Sequence, residues 1–220
     1  MSVTFEEWVY AVFHHPESRP EWYWDAAFEA LWEKLTDTAM VRHMTRLFLE
    51  PELLRHYSLV QVAQGITFLI DDASPGESSA ALFHSEEGRP EVPLAERVAC
   101  IEAMGEFFRR FVVPAAPGPA EIESNPFHAA CYAWWDIFPM RFLMQDEEQA
   151  VEPELQQAAL KVMAEVLNLP SELCQLSALH GLSHWHRQHA EQVEQIVEGF
   201  VDQGQELTPQ VREYLLEKLV

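Results

Sequence analysis

The chain has 220 residues, 48% of them hydrophobic, with 7 Trp and 13 Phe. This is enough apolar surface for one packed core or one run of stacked repeats, and it excludes an intrinsically disordered chain. A formal charge of −22 and a pI of ≈ 4.7 exclude direct binding to phosphate backbones or to an anionic membrane surface, and favour a cationic partner.

The predicted elements are helical throughout. Thr4 and Glu7 form a capping box ahead of a helix that buries Phe5, Trp8, Val9, Val12 and Phe13. "HHPESRP" ends it, and Pro20 suits the first turn of a second helix with Trp24, Phe28, Leu31, Trp32 and Leu35 on its apolar stripe. Asp37 is read as the cap of a third helix, with Met40, Met44, Leu47 and Phe48 facing inward, and Pro51 stops it. Ser58 and Gln61 make another capping box before Val62, Ile66 and Leu69. A long connection, 71–93, leads to a helix with Val98, Ile101, Met104, Phe108 and Phe111 on one stripe.

The proline-rich stretch 113–126 is the clearest break, and it divides the single 1–220 domain into N-terminal helices, 1–112, and C-terminal helices, 127–220. Asn125-Pro126 then reads as the cap and first turn of "FHAACYAWWDIF". "QDEEQAVEPE" is an acidic loop. Leu155, Ala159, Val162, Met163, Val166 and Leu167 define the next helix, "NLPSE" separates it from the following one, and Val193, Ile196, Val197, Phe200 and Val201 define another. Gly204 ends that helix, and Thr208-Pro209 caps a last one that buries Val211, Tyr214, Leu215 and Leu219. The fold class is therefore all-α. About ten helices in antiparallel hairpins form a HEAT-like α-α superhelix or a compact helical stack.

Several chemistries find no motif. The chain has no Walker A loop, no G-x-G-x-x-G, no G-x-S-x-G and no H-E-x-x-H. Cys100, Cys131 and Cys174 are odd in number and form no C-x-x-C pair, so they read as buried free thiols in a reducing compartment. The N-terminus lacks the pattern of a secretory signal, and no apolar run reaches membrane-spanning length. The expectation is a cytoplasmic protein.

From 154 to 203, "LPSELCQLSALHGLSHWH" followed by "AEQVEQIVEGFVDQG" resembles a degenerate HEAT or armadillo-type helical repeat. Small residues Ser177, Ala178 and Gly181 stand where the helices of such a repeat pack closely. The resemblance implies a protein-binding scaffold without catalysis.

"SALHGLSHWHRQH" places four histidines within ten positions. His180 and His184, four apart, share one helical face and can share a metal. Gly181 stands where the zinc-protease pattern needs Glu. A third ligand has to come from another helix, and Asp136, Asp71 and Asp72 are the candidates. His186 and His189 point elsewhere. The alternative is a packed helix whose histidines find hydrogen-bond partners, and on sequence alone no metal or cofactor is assigned.

Glu191, Glu194, Glu198 and Asp202 recur opposite an apolar stripe, and Asp146, Glu147 and Glu148 lie in the acidic loop. The expectation is a non-catalytic module that offers these carboxylates to a basic protein, as an immunity-type inhibitor does when it occludes a bacterial toxin's cationic cleft. The alternatives are a helical metal-dependent hydrolase using His180 and His184, or a general scaffold.

Overall fold

The computed structural model describes residues 3–19, 21–70, 78–83, 92–137 and 152–218. Among them the chain is all-helical and contains no strand. The α-helices are α1 (Phe5–Phe13), α2 (Ala26–Trp32), α3 (Asp37–Leu49), α4 (Leu59–Ile70), α5 (Ser78–Phe83), α6 (Leu94–Phe107), α7 (Val113–Ala115), α8 (Pro126–Tyr132), α9 (Pro153–Leu167), α10 (Glu172–Val201) and α11 (Pro209–Lys218). Helical turns of 3-10 type lie at Trp22–Trp24, Pro51–His56 and Ala133–Ile137. None of the described helices is long and apolar enough to cross a membrane.

Local chemistry sets most of the helix starts. Thr4 and Glu7 close the reciprocal capping box at α1, and Ser58 and Gln61 do the same at α4, at 3.0 and 3.2 Å. At α3 the cap is Thr36, which accepts from the Ala39 amide; Asp37 is the first helical residue. The expected cap therefore shifts by one position, and the Asp37 carboxylate sits in the first turn, where the helix dipole favours it. Trp24 also departs from its expected place. The chain makes a 3-10 turn at Trp22–Trp24 before α2 begins, so Trp24 is 67% exposed. Trp22 enters the core instead, stacked 3.8 Å from the His15 ring and donating its indole N–H to the Ala11 carbonyl.

Two rows of helices converge on α10. In one, α3 packs on α6, α6 on α9 and α9 on α10; in the other, α1 packs on α4, α4 on α8 and α8 on α10. Both rows run across the proline-rich stretch 113–126 and share one apolar core. The chain beyond α6 continues as a π-helical turn, Phe108–Val112. That wider turn lets the adjacent Phe107 and Phe108 both face inward, along with Phe111 and Val112. Exposed ion pairs tie neighbouring helices, Arg42 with Glu96 at 2.7 Å and Lys161 with Glu102 at 2.9 Å; each is worth at most about 1 kcal/mol.

The three cysteines are buried and free, and burial pushes the Cys100 and Cys174 thiols up to about 12. They are inert hydrophobes at neutral pH.

Candidate metal centre

The site begins with an aromatic wedge. The turn Ala133–Ile137 sits between α4 and α10. Trp134 stacks on Phe107 at 4.9 Å, and Trp135 lies nearly parallel to Phe108 at 5.6 Å. The Trp135 indole donates to Ser177 Oγ at 3.0 Å, and that hydroxyl donates to the Cys131 carbonyl at 2.6 Å. Trp134, Trp135 and Ile137 are all buried. With three of its five side chains anchored inward, the turn holds Asp136 outward, and its carboxylate meets α10.

Close packing on α10 brings the two elements together. A Cβ at Gly181 would lie 2.8 Å from Trp135 Cβ and 2.6 Å from Met163 Sδ, so α10 can approach the wedge only where that side chain is missing. Ser177 and Ala178 are fully buried beside it, in agreement with the reading of these small residues as a close-packing face.

One turn of α10 then presents His180 and His184 to Asp136. His180 Nε2 and His184 Nε2 are 3.2 Å apart, and each lies 3.3 Å from the same oxygen, Asp136 Oδ1. The three atoms form a nearly equilateral triangle, the one such cluster of candidate ligands among the described residues. The His180 and His184 side chains keep 18% and 28% of their exposure and Asp136 keeps 51%, so the triangle is inset and open on one side. Burial works to raise the Asp136 carboxyl, but the hydrogen bonds and charge from both imidazoles outweigh it and hold the group well below the usual carboxylate range.

Around this triangle stand groups that sequence reasoning did not connect with it. The Tyr132 ring, at the end of α8, stacks on the His180 ring at 4.2 Å. Burial first, and then Tyr214 and Asp136 beside it, push the Tyr132 hydroxyl far above its ordinary value, so it remains a neutral donor. Tyr214, from α11, and Ser183, from α10, reach the other edge of His180, with Tyr214 Oη 3.5 Å from His180 Nδ1. Nothing in the spacing of Tyr132 or Tyr214 marks them; both read as core positions of their helices.

The remaining candidates fall elsewhere. His186 pairs with Glu194 at 3.4 Å. His189 stands at a kink in α10 (φ −127°, ψ 38°) and stacks on Trp185. Glu191, Glu194 and Glu198 are exposed along the second half of α10 and Asp202 at its C-terminal cap, and among the described residues no Lys or Arg pairs with any of them. Asp146, Glu147 and Glu148, like Asp71 and Asp72, lie outside the described residues. Glu152, at the end of the acidic stretch, pairs with the buried Arg97.

No protein-family model, curated protein or solved structure matches this chain.

Proposed function

We propose that Asp136, His180 and His184 are the protein ligands of a mononuclear divalent metal centre, zinc by preference, and that the protein is a metal-dependent hydrolase acting through water held on the open side. The carrying observation is the 3.2–3.3 Å triangle of two imidazole nitrogens and one carboxylate oxygen. Zinc lies about 2.0–2.2 Å from such atoms, and in a tetrahedron that puts neighbouring ligands about 3.3–3.6 Å apart. An octahedral ion at a similar bond length needs edges of about 2.8–3.1 Å. The triangle matches the tetrahedral spacing better. Three electron-rich atoms this close need positive charge between them. A proton bridges one edge at a time, whereas an ion serves all three. Three protein ligands with a fourth, solvent-facing position are the arrangement in which zinc lowers the pKa of bound water and makes it a nucleophile.

The test uses full-length, tag-free protein stripped with a chelator and titrated with Zn(II). The expected result is about one equivalent bound, lost in H180A, H184A and D136A but kept in H186A. The loaded chain should cleave 4-nitrophenyl acetate faster than free Zn(II) does. Retention by the wild type no greater than by H180A overturns the metal centre; a tightly held ion that leaves the ester untouched overturns the hydrolase.

A second reading rests on charge. The net charge of −22 and the exposed carboxylates at 191, 194, 198 and 202, which no Lys or Arg pairs among the described residues, support a surface that binds and masks a basic protein domain, the role of an inhibitor or immunity protein. Reversing Glu191, Glu194 and Glu198 to Lys should abolish salt-sensitive capture of a basic partner. Unchanged capture removes this surface as the site.

A further inference from the structure

The hydroxyl groups beside His180 offer an acceptor to its outer ring nitrogen. Ser183 Oγ lies 2.7 Å from the His180 carbonyl oxygen. A carbonyl only accepts, so the single Ser183 proton is committed there. Tyr214 Oη lies 3.3 Å from Ser183 Oγ. With the serine proton committed, Tyr214 is the donor in that bond, and its oxygen faces His180 Nδ1, 3.5 Å away, as an acceptor. That oxygen is placed to take a proton from Nδ1. In the metal-free chain the Asp136 carboxylate, 3.3 Å from Nε2, accepts from the other ring nitrogen; an ion on Nε2 takes that place and leaves the ring proton on Nδ1. This is the tautomer that metal ligation through Nε2 demands, with the other ring nitrogen donating to an outer partner.

Tyr214 belongs to a different element from the ligands. Helix α11 has ten residues, too few to be stable alone. It is held by buried Val211 and Leu215, by the Gln210 side-chain amide donating to the Ala120 carbonyl at 3.3 Å, and by Tyr214. We propose that Tyr214 is a positioning residue that accepts the Nδ1 proton of metal-bound His180, and that it thereby couples metal binding at Asp136, His180 and His184 to the docking of the C-terminal helix. The proposal rests on the metal-centre reading. The link is reciprocal: by whatever factor docked α11 tightens the metal, the metal tightens the docking of α11.

Tyr214→Phe keeps the ring and removes the hydroxyl, with its bonds to His180, Ser183 and Tyr132. Two measurements on the full chain decide the matter. In zinc-loaded protein, long-range proton–nitrogen correlation of the imidazoles should find His180 bound through Nε2 with its proton on Nδ1, and that proton should exchange with solvent faster in Y214F. In the Zn(II) titration, Y214F should bind roughly 10–100-fold more weakly, while zinc slows amide exchange across 209–218 in the wild type. A His180 that holds the ion through Nδ1 overturns the role of Tyr214 and leaves the centre standing. Equal zinc affinity in wild type and Y214F overturns the coupling and leaves the centre standing. A wild type that takes no zinc overturns the centre and the coupling together.

Discussion

The two halves of α10, on either side of the His189 kink, make an instructive contrast. The first half carries His180 and His184 four residues apart; the second carries Glu194 and Glu198 at the same spacing. In helix geometry the two pairs are equivalent. They differ in what the rest of the molecule delivers to them. The first half is pressed against the Trp134–Trp135 wedge, which brings Asp136 to within 3.3 Å of both rings. The second half buries Val193, Val197 and Phe200 on one face and leaves its acids in solvent. Side chains at helical spacing become a site only when another element supplies the third group and holds it there.

The contrast can be broken most forcefully at the wedge. Trp135→Ala removes a fully buried ring and its hydrogen bond to Ser177, and should cost about 3–5 kcal/mol in urea unfolding. In protein that still folds it should also abolish zinc retention, because Asp136 loses its anchor. Next in size, zinc at a hundredfold excess over its dissociation constant should stabilise the chain by about 2.7 kcal/mol. H184A should show none of this gain, and E198Q all of it.

The two glycines of α10 sharpen the comparison further. Gly181→Ala forces a methyl into Trp135 and Met163 and should destabilise by about 1–3 kcal/mol. Gly199→Ala, in the second half, meets nothing within 4 Å and should stabilise by about 0.5–1 kcal/mol, since alanine is the better helix former. Opposite signs in thermal melts are the expected outcome.

The smallest effect is a pH slope that belongs to histidines away from the centre. Burial holds His15, His43 and His128 below their ordinary value. The unfolded chain therefore takes up protons first, near about 6.5. Their contribution to stability is full above that pH and is lost as the pH falls through the lower folded-state values. The urea midpoint should drop between neutral pH and pH 5. A variant with these three residues replaced by Gln should show a flatter slope, whatever its absolute stability.

Some of this was legible in the residues. Reciprocal caps at Thr4 and Ser58 need only four consecutive positions, and they form as read. The shared face of His180 and His184 is also a local property, and Asp136 stood among three carboxylates able to complete it. The choice among those three depends on which side chains of "AWWDI" turn inward. That is settled by Phe107 and Phe108, more than twenty residues earlier in the chain. Tyr214 lay further out of reach. Its position in the last helix reads as core, and only the crossing of α11 over α10 brings its hydroxyl to a histidine ring. Trp24 failed for a local reason: one extra 3-10 turn delayed α2 and moved the apolar stripe past it.

The most direct test of the central claim is X-ray absorption at the zinc edge on the full-length, tag-free, zinc-loaded chain. The account predicts four light ligands at about 2.0–2.1 Å with the outer-shell scattering of two imidazoles. A shell of oxygen atoms alone, without imidazole scattering, would contradict it and would mark the ion as adventitious.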